Sequence, residues 1–195
     1  MMKIKLFLLL SLISFLKIQS QNADINLLRK INADSSLALD KLFKGVSYSV
    51  APLSVASPAS IILTGFIRKD EALKREGYKA SASLLLAGVL GTSLKYAIQR
   101  ERPFKTYGFI HGKDKVGPLS FPSNHTTFAF ATATSLSLSC PKWYVVVPSY
   151  LWASGVAYSR MYLGVHYPSD VFGGIVIGIG SSLLVWQIDK WMGKN

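Results

Sequence analysis

The 195-residue chain is half hydrophobic, only 16% charged, and carries a formal net charge of +12 at pH 7. Soluble domains carry about 25% charged residues, so this balance argues against an ordinary soluble domain and for an integral membrane protein. Little polar surface is left for a basic face, which excludes nucleic acid as the partner; the cations gathered between Lys95 and Lys115 point instead to an anionic ligand.

Residues 1–20 open with Lys3 and Lys5 and continue in an apolar run from Leu6 to Leu16. That pattern predicts a signal peptide cleaved near Ser20, or an uncleaved first membrane helix. Residues 21–195 are then expected to form one domain, entered from outside the cytoplasm. Asp24 to Lys44 is loosely amphipathic and reads as a helix, either lying at the membrane interface or packed on the bundle.

Gly45 to Ile67 has no charge and is long enough to span a bilayer, with Pro52 and Pro58 expected to kink or break it. Arg68 to Lys79 reads as a polar hairpin. Ala80 to Leu94 is a second apolar helix, expected to continue to Arg102 and to stop at Pro103. A basic loop follows over Phe104–Leu119. Ser123–Ser139, Trp143–Tyr158 and Val171–Ile188 read as three further helices, the last with Gly174-x3-Gly178 for close helix contact. The fold class is therefore all-α, a transmembrane helical bundle of about five helices. With residue 22 outside, the Arg68–Lys79 segment, Lys142 and the Lys190–Lys194 tail fall inside, as positive charge prefers.

Three polar sets stand out. Lys95 and Arg102 are seven apart, about two helical turns, and are expected on one helix face. Pro122-Ser123-Asn124-His125 opens a helix whose first N–H groups are free to bind an anion. Ser159-Arg160 is followed by His166 and Asp170, the latter two at i,i+4 where another helix begins. The topology places all three sets on the outer side. Charged groups beside lipid-length helices are costly and mark function. One cysteine, Cys140, allows no intrachain disulfide, and three scattered histidines offer no metal cluster, so neither metal nor cofactor is expected.

Lys95-x6-Arg102-Pro103, Pro122-Ser123-x-His125 and Ser159-Arg160-x5-His166-x3-Asp170, in this order, resemble the type 2 phosphatidic acid phosphatase (PAP2) superfamily. The match runs from Lys95 to Asp170 and departs at one position, Asn124, where the family carries Gly. The resemblance implies a metal-independent phosphatase. His166 would attack phosphorus and form a phosphohistidine, Asp170 would orient it, and His125 would protonate the leaving oxygen and then activate water. Lys95, Arg102 and Arg160 would surround the phosphoryl oxygens, with Ser123 and the N–H of Asn124 completing the nest. A site at the bilayer surface implies a lipid phosphate or diphosphate substrate in the cell membrane, with the site facing the periplasm or exterior. A soluble exported acid phosphatase and a vanadium haloperoxidase are the rival readings of the same residues.

Overall fold

The computed structural model describes residues 23–33 and 36–193; the expected signal peptide or first membrane helix lies outside them. Among the described residues eight helices follow one another: α1 (23–32), α2 (Leu37–Tyr48), α3 (Val50–Arg68), α4 (Glu71–Ile98), the single turn α5 (Pro103–Thr106), α6 (Asn124–Ser139), α7 (Trp143–Tyr162) and α8 (Pro168–Met192). No strand occurs among the described residues; Glu101 and Leu119 form one isolated bridge.

The all-α bundle is as expected, with α6 at its centre, packed on α3, α4, α7 and α8. Nine of the 16 residues of α6 are buried, nearly all Ala, Ser or Thr. Neighbouring helices, not lipid, surround it, so it needs no lipid-length apolar run. Small side chains there let the helices approach closely. A Cβ on Gly178 of α8 would lie 2.4 Å from the Thr127 carbonyl oxygen, and one on Gly174 would lie 2.8 Å from that of Ser123. Among the described residues three segments are long and apolar enough to cross a membrane: Leu37–Arg68, Glu71–Ile98 and Pro168–Met192.

Several boundaries differ from the expected ones. The break before α3 falls at Ser49, and Pro52 sits in the first turn of α3, where a missing N–H costs little. The helix runs on through Pro58. The polar hairpin shrinks to Lys69 and Asp70, because Asp70 caps α4 through the Leu73 N–H at 3.0 Å. Glu71–Lys74 and Glu76–Lys79 then pair at i,i+3 along the first turns of α4.

The more consequential difference is at the far end of α4. The helix ends at Ile98, with Gln99 left-handed at φ 52°. Lys95 and Arg102 therefore do not share a helix face. The chain turns away because Arg100 is held by two carboxylates and its carbonyl accepts the Ser120 N–H at 2.8 Å.

The Asp24–Lys44 segment divides into α1 and α2. Ile25 and Leu28 of α1 pack on Ile110 and Tyr167, so α1 lies on the end of the bundle. Asn32 at its C-terminal end donates to the carbonyl oxygens of Tyr162 (2.9 Å) and His111 (3.1 Å) and accepts the His111 N–H at 2.8 Å, tying the Phe104–Leu119 loop down.

Candidate active site

Lys95, Arg102, Asn124, His125, Arg160 and His166 line one cavity of about 430 Å³, whose outer wall is the Lys115–Leu119 stretch. Five chain segments converge there: the last turn of α4, the residue before α5, the start of α6, the last turn of α7, and the α7–α8 connection. Gly164 makes that connection possible. Its φ is +69°, and a Cβ there would lie 2.3 Å from the His111 carbonyl oxygen.

His166 is buried, and its two ring nitrogens face different partners. Nδ1 lies 3.5 Å from Asp170 Oδ2 and 3.4 Å from Ser120 Oγ. Nε2 lies 3.2 Å from Arg102 Nη1, which can only donate. Nε2 is thus the unprotonated nitrogen and Nδ1 carries the hydrogen. Burial pushes the His166 pKa down to about 3; the Asp170 bond opposes that shift, while Arg102 and Arg160 add to it. The ring is neutral at pH 7, with its lone pair at the cavity.

Asp170 is completely buried and fully engaged. It accepts the Tyr167 N–H at 2.9 Å as the N3 residue of α8, the Ser120 hydroxyl, and Arg100 Nη1 at 2.8 Å.

The cations are held from behind. Lys95 Nζ donates to the carbonyl oxygens of Pro122 (2.8 Å), Ser120 (3.2 Å) and Leu119 (3.3 Å). Arg102 donates to the carbonyl oxygens of Gly117 and, at 2.7 Å, Val165. Burial and then Arg160 push Arg102 down to about 10, which still leaves it charged. Arg160 has no exposed surface. Its Nη1 donates to Ser47 Oγ and, at 3.0 Å, to Asp114 Oδ2, whereas Nε and Nη2 are buried with no hydrogen-bond partner among the described residues. Buried, unpaired guanidinium donors are expensive, and an anion in the cavity would satisfy them.

Past His125 and Asn124 the cavity meets an apolar one of about 320 Å³ against Val50, Val55 and Phe128. Val55 and Phe128 also line a larger groove of about 870 Å³ between α3 and α4, walled by Pro58, Ile62, Leu85 and Val89. A polar chamber thus adjoins a long apolar trough.

The PAP2 superfamily model matches residues 77–194. The undecaprenyl-diphosphatase of Sulfolobus acidocaldarius is 32% identical over 191 residues, covering 95% of this chain and 88% of that protein. The chain belongs to the PAP2 superfamily. The crystal structure of Aquifex aeolicus LpxE superposes with a TM-score of 0.72 at 29% identity, covering 85% of this chain and 95% of that one. The transmembrane PAP2-type phosphatidylglycerolphosphate phosphatase of Bacillus subtilis gives 0.72 at 26% identity, covering 88% and 87%.

Of the eight expected site residues, six line the cavity and Asp170 stands behind His166; Ser123 is turned away. Its hydroxyl is buried at the N-cap of α6, accepting from Thr126 Oγ1 at 2.9 Å, and it does not line the cavity. Asn124, where PAP2 proteins carry Gly, is the first residue of α6 and has no positive φ, so no backbone freedom is required there. Its Oδ1 lies against Gly91 of α4, where a Cβ would come within 3.2 Å. A glycine on the facing helix makes room for the side chain.

Four residues around the cavity fall at no motif position: Asp114 behind Arg160, Ser120 beside His166, and Arg100 with Asp24 behind Asp170. Asp114 stands out only by composition, as the single acid in an otherwise basic loop. Burial raises its pKa, but the Tyr48 hydroxyl at 2.6 Å and Arg160 outweigh burial and hold it below the usual carboxylate range.

Proposed function

We propose that this PAP2 protein is a membrane-embedded phosphatase that hydrolyses a lipid phosphate monoester or diphosphate through a phosphohistidine. One observation carries the reading: the unprotonated Nε2 of His166 and the unpaired donors of Arg160 line the cavity that adjoins the α3–α4 trough.

The phosphoryl group sits among Lys95, Arg102 and Arg160, which neutralise its oxygens as charge develops. Arginine supplies a planar fork of donors at two of the three positions. His166 Nε2 attacks phosphorus, forming an N–P bond as the bond to the leaving oxygen breaks. That oxygen takes a proton from His125, whose pKa, pushed down to about 4 by burial and the neighbouring cations, rises when the phosphate's negative charge offsets those cations. Asp170 and Ser120 stabilise the positive charge growing on the ring through its Nδ1–H. In the second step His125 removes a proton from water. The water oxygen bonds phosphorus, the N–P bond breaks, and inorganic phosphate leaves. Every step is carried by protein side chains.

The apolar trough supports a lipid as the remainder of the substrate, and the three membrane-length segments argue against a soluble exported phosphatase. The related proteins act on undecaprenyl diphosphate and phosphatidylglycerolphosphate by name, which supports a lipid diphosphate or monoester as the substrate class. The charge pattern supports a cell-membrane location with the site facing the periplasm or exterior.

The test is phosphate release in detergent micelles from undecaprenyl diphosphate, phosphatidylglycerolphosphate, phosphatidate and a water-soluble aryl phosphate. At least one lipid is expected to exceed the aryl phosphate in kcat/KM by tenfold or more, with His166→Ala inactive. Equal or faster turnover of the aryl phosphate overturns the lipid assignment. Halide oxidation that depends on vanadate and peroxide, without phosphate release, favours the haloperoxidase reading instead.

A further inference from the structure

Asp170 orients His166 through Oδ2, but its other oxygen, Oδ1, faces away from the ring toward Arg100 Nη1 at 2.8 Å. Arg100 is one of the unspecified positions of Lys95-x6-Arg102 and does not line the cavity. Its Nη2 reaches Asp24 Oδ2 at 2.9 Å, and its plane lies over the Tyr167 ring, 3.7 Å from the centroid. Asp24 comes from α1, 145 residues before Ser169, which it grips. Its Oδ1 accepts the Ser169 N–H at 2.8 Å, its Oδ2 accepts the Ser169 hydroxyl, and that hydroxyl accepts from Arg100 Nη1 at 2.6 Å.

We propose that Asp24 and Arg100 are positioning residues that lock the Asp170 carboxylate, and through it the His166 ring, in the attacking geometry. The proposal rests on the phosphohistidine reading above. The planar guanidinium bridges two carboxylates with different nitrogens, a geometry lysine cannot reproduce. Asp170 already has the Tyr167 N–H and the Ser120 hydroxyl on Oδ2. Without Arg100 its Oδ1 would be a buried charged acceptor lacking a partner, free to rotate toward another donor and to carry Oδ2 off His166. Asp24 also sits at the N-terminus of α8, where negative charge is favoured, so it fixes the helix end that bears Asp170. Helix α1, outside the motif-bearing part of the chain, is thereby part of the catalytic apparatus.

The experiment compares full-length wild type with Arg100→Met, Arg100→Lys, Asp24→Asn and the double variant Asp24→Asn/Arg100→Met. It uses whichever lipid phosphate of the panel turns over fastest and records thermal unfolding of each variant in the same micelles. Misplacing a reacting group by about 1 Å can cost 10²-fold in rate. Arg100→Met and Asp24→Asn are expected to lose about tenfold to hundredfold in kcat with KM within threefold. Arg100→Lys should recover only part of the loss, and the double variant should be little worse than Arg100→Met, since the two act as one unit.

Overturning results are a kcat within twofold of wild type in both single variants, a KM rise with kcat unchanged, which makes Arg100 a substrate-binding cation, or losses that follow the fraction unfolded at the assay temperature. Wild type that releases no phosphate from any lipid, or retained activity in His166→Ala, defeats the functional reading itself. That outcome is separate from the positioning result, which is read from the ratio of variant to wild type.

Discussion

At the residue scale the site is organised by burial of charge. Arg160 and Asp114 are almost wholly withdrawn from water, and each is the other's compensation. Removing one partner of a buried pair costs about 3–5 kcal/mol, mostly because the other charge is stranded. Asp114→Asn is therefore expected to lower kcat/KM by at least tenfold and to lower the thermal midpoint, both measurable on purified protein. Acid should mimic the substitution: Asp114 has a depressed folded pKa, so its contribution is complete above the unfolded carboxylate range near 3.9 and is lost as pH falls through the lower folded value.

His166 obeys the same linkage. Its folded pKa of about 3 lies below the ordinary 6.5, so the unfolded chain takes up the proton first. Its stabilising contribution is full above about pH 6.5 and declines as pH falls toward 3. His166→Gln should flatten the stability-versus-pH curve by the slope of one proton in that window; an unchanged slope would mean that the buried ring is not held neutral. The motif residues were readable because each set is local, with fixed offsets. Their supporting partners were not: Asp24 is 146 residues from Asp170, and Ser120 is 50 from it, so no spacing announces either contact.

At the scale of elements, helix ends and helix contacts set the geometry. The expected Lys95–Arg102 face failed because helical periodicity says where side chains point only while the helix lasts. Gln99 ends it in a left-handed residue, a choice made by the tertiary bonds of Arg100 and Ser120. The N-termini of α6 and α8 were legible, since Ser at an N-cap and Pro at N1 are local signals. So was the Gly174-x3-Gly178 contact. Gly178→Ala should destabilise the α6–α8 interface by about 1–3 kcal/mol, as overpacking does, whereas Gly180→Ala, where nothing lies within 4 Å, should be neutral or slightly stabilising. Unfolding of both variants in micelles separates them.

The Gly91–Asn124 contact gives a sharper test of fit across α4 and α6. Gly91→Ala should impair turnover by displacing the Asn124 side chain, and Asn124→Gly in the same chain should restore it. Asn124→Gly alone is expected to stay within about tenfold of wild type, because the backbone there is ordinary helix. A double variant no better than Gly91→Ala removes the steric account.

At the scale of the whole molecule, α6 places the site at one end and Cys140 at the other, about 24 Å apart for 16 residues at 1.5 Å each. The lone cysteine is partly exposed at the end opposite the site. With the site facing outward, a membrane-impermeant maleimide should leave Cys140 unlabelled in intact cells and label it after permeabilisation. Labelling in intact cells would invert the orientation. Composition made the bundle legible, but not its centre. Because α6 is screened from lipid by its neighbours, its Ala, Ser and Thr content gives no membrane signal, and only packing reveals its role.

The proposed mechanism requires His166 to become covalently phosphorylated. Purified protein mixed with a lipid phosphate carrying labelled terminal phosphorus, then quenched in alkali to preserve the N–P bond, reads this directly. Protein-bound label is expected on His166 during turnover and is expected to be absent from His166→Ala. Rapid phosphate release with no labelled protein, or label on another residue, would contradict it.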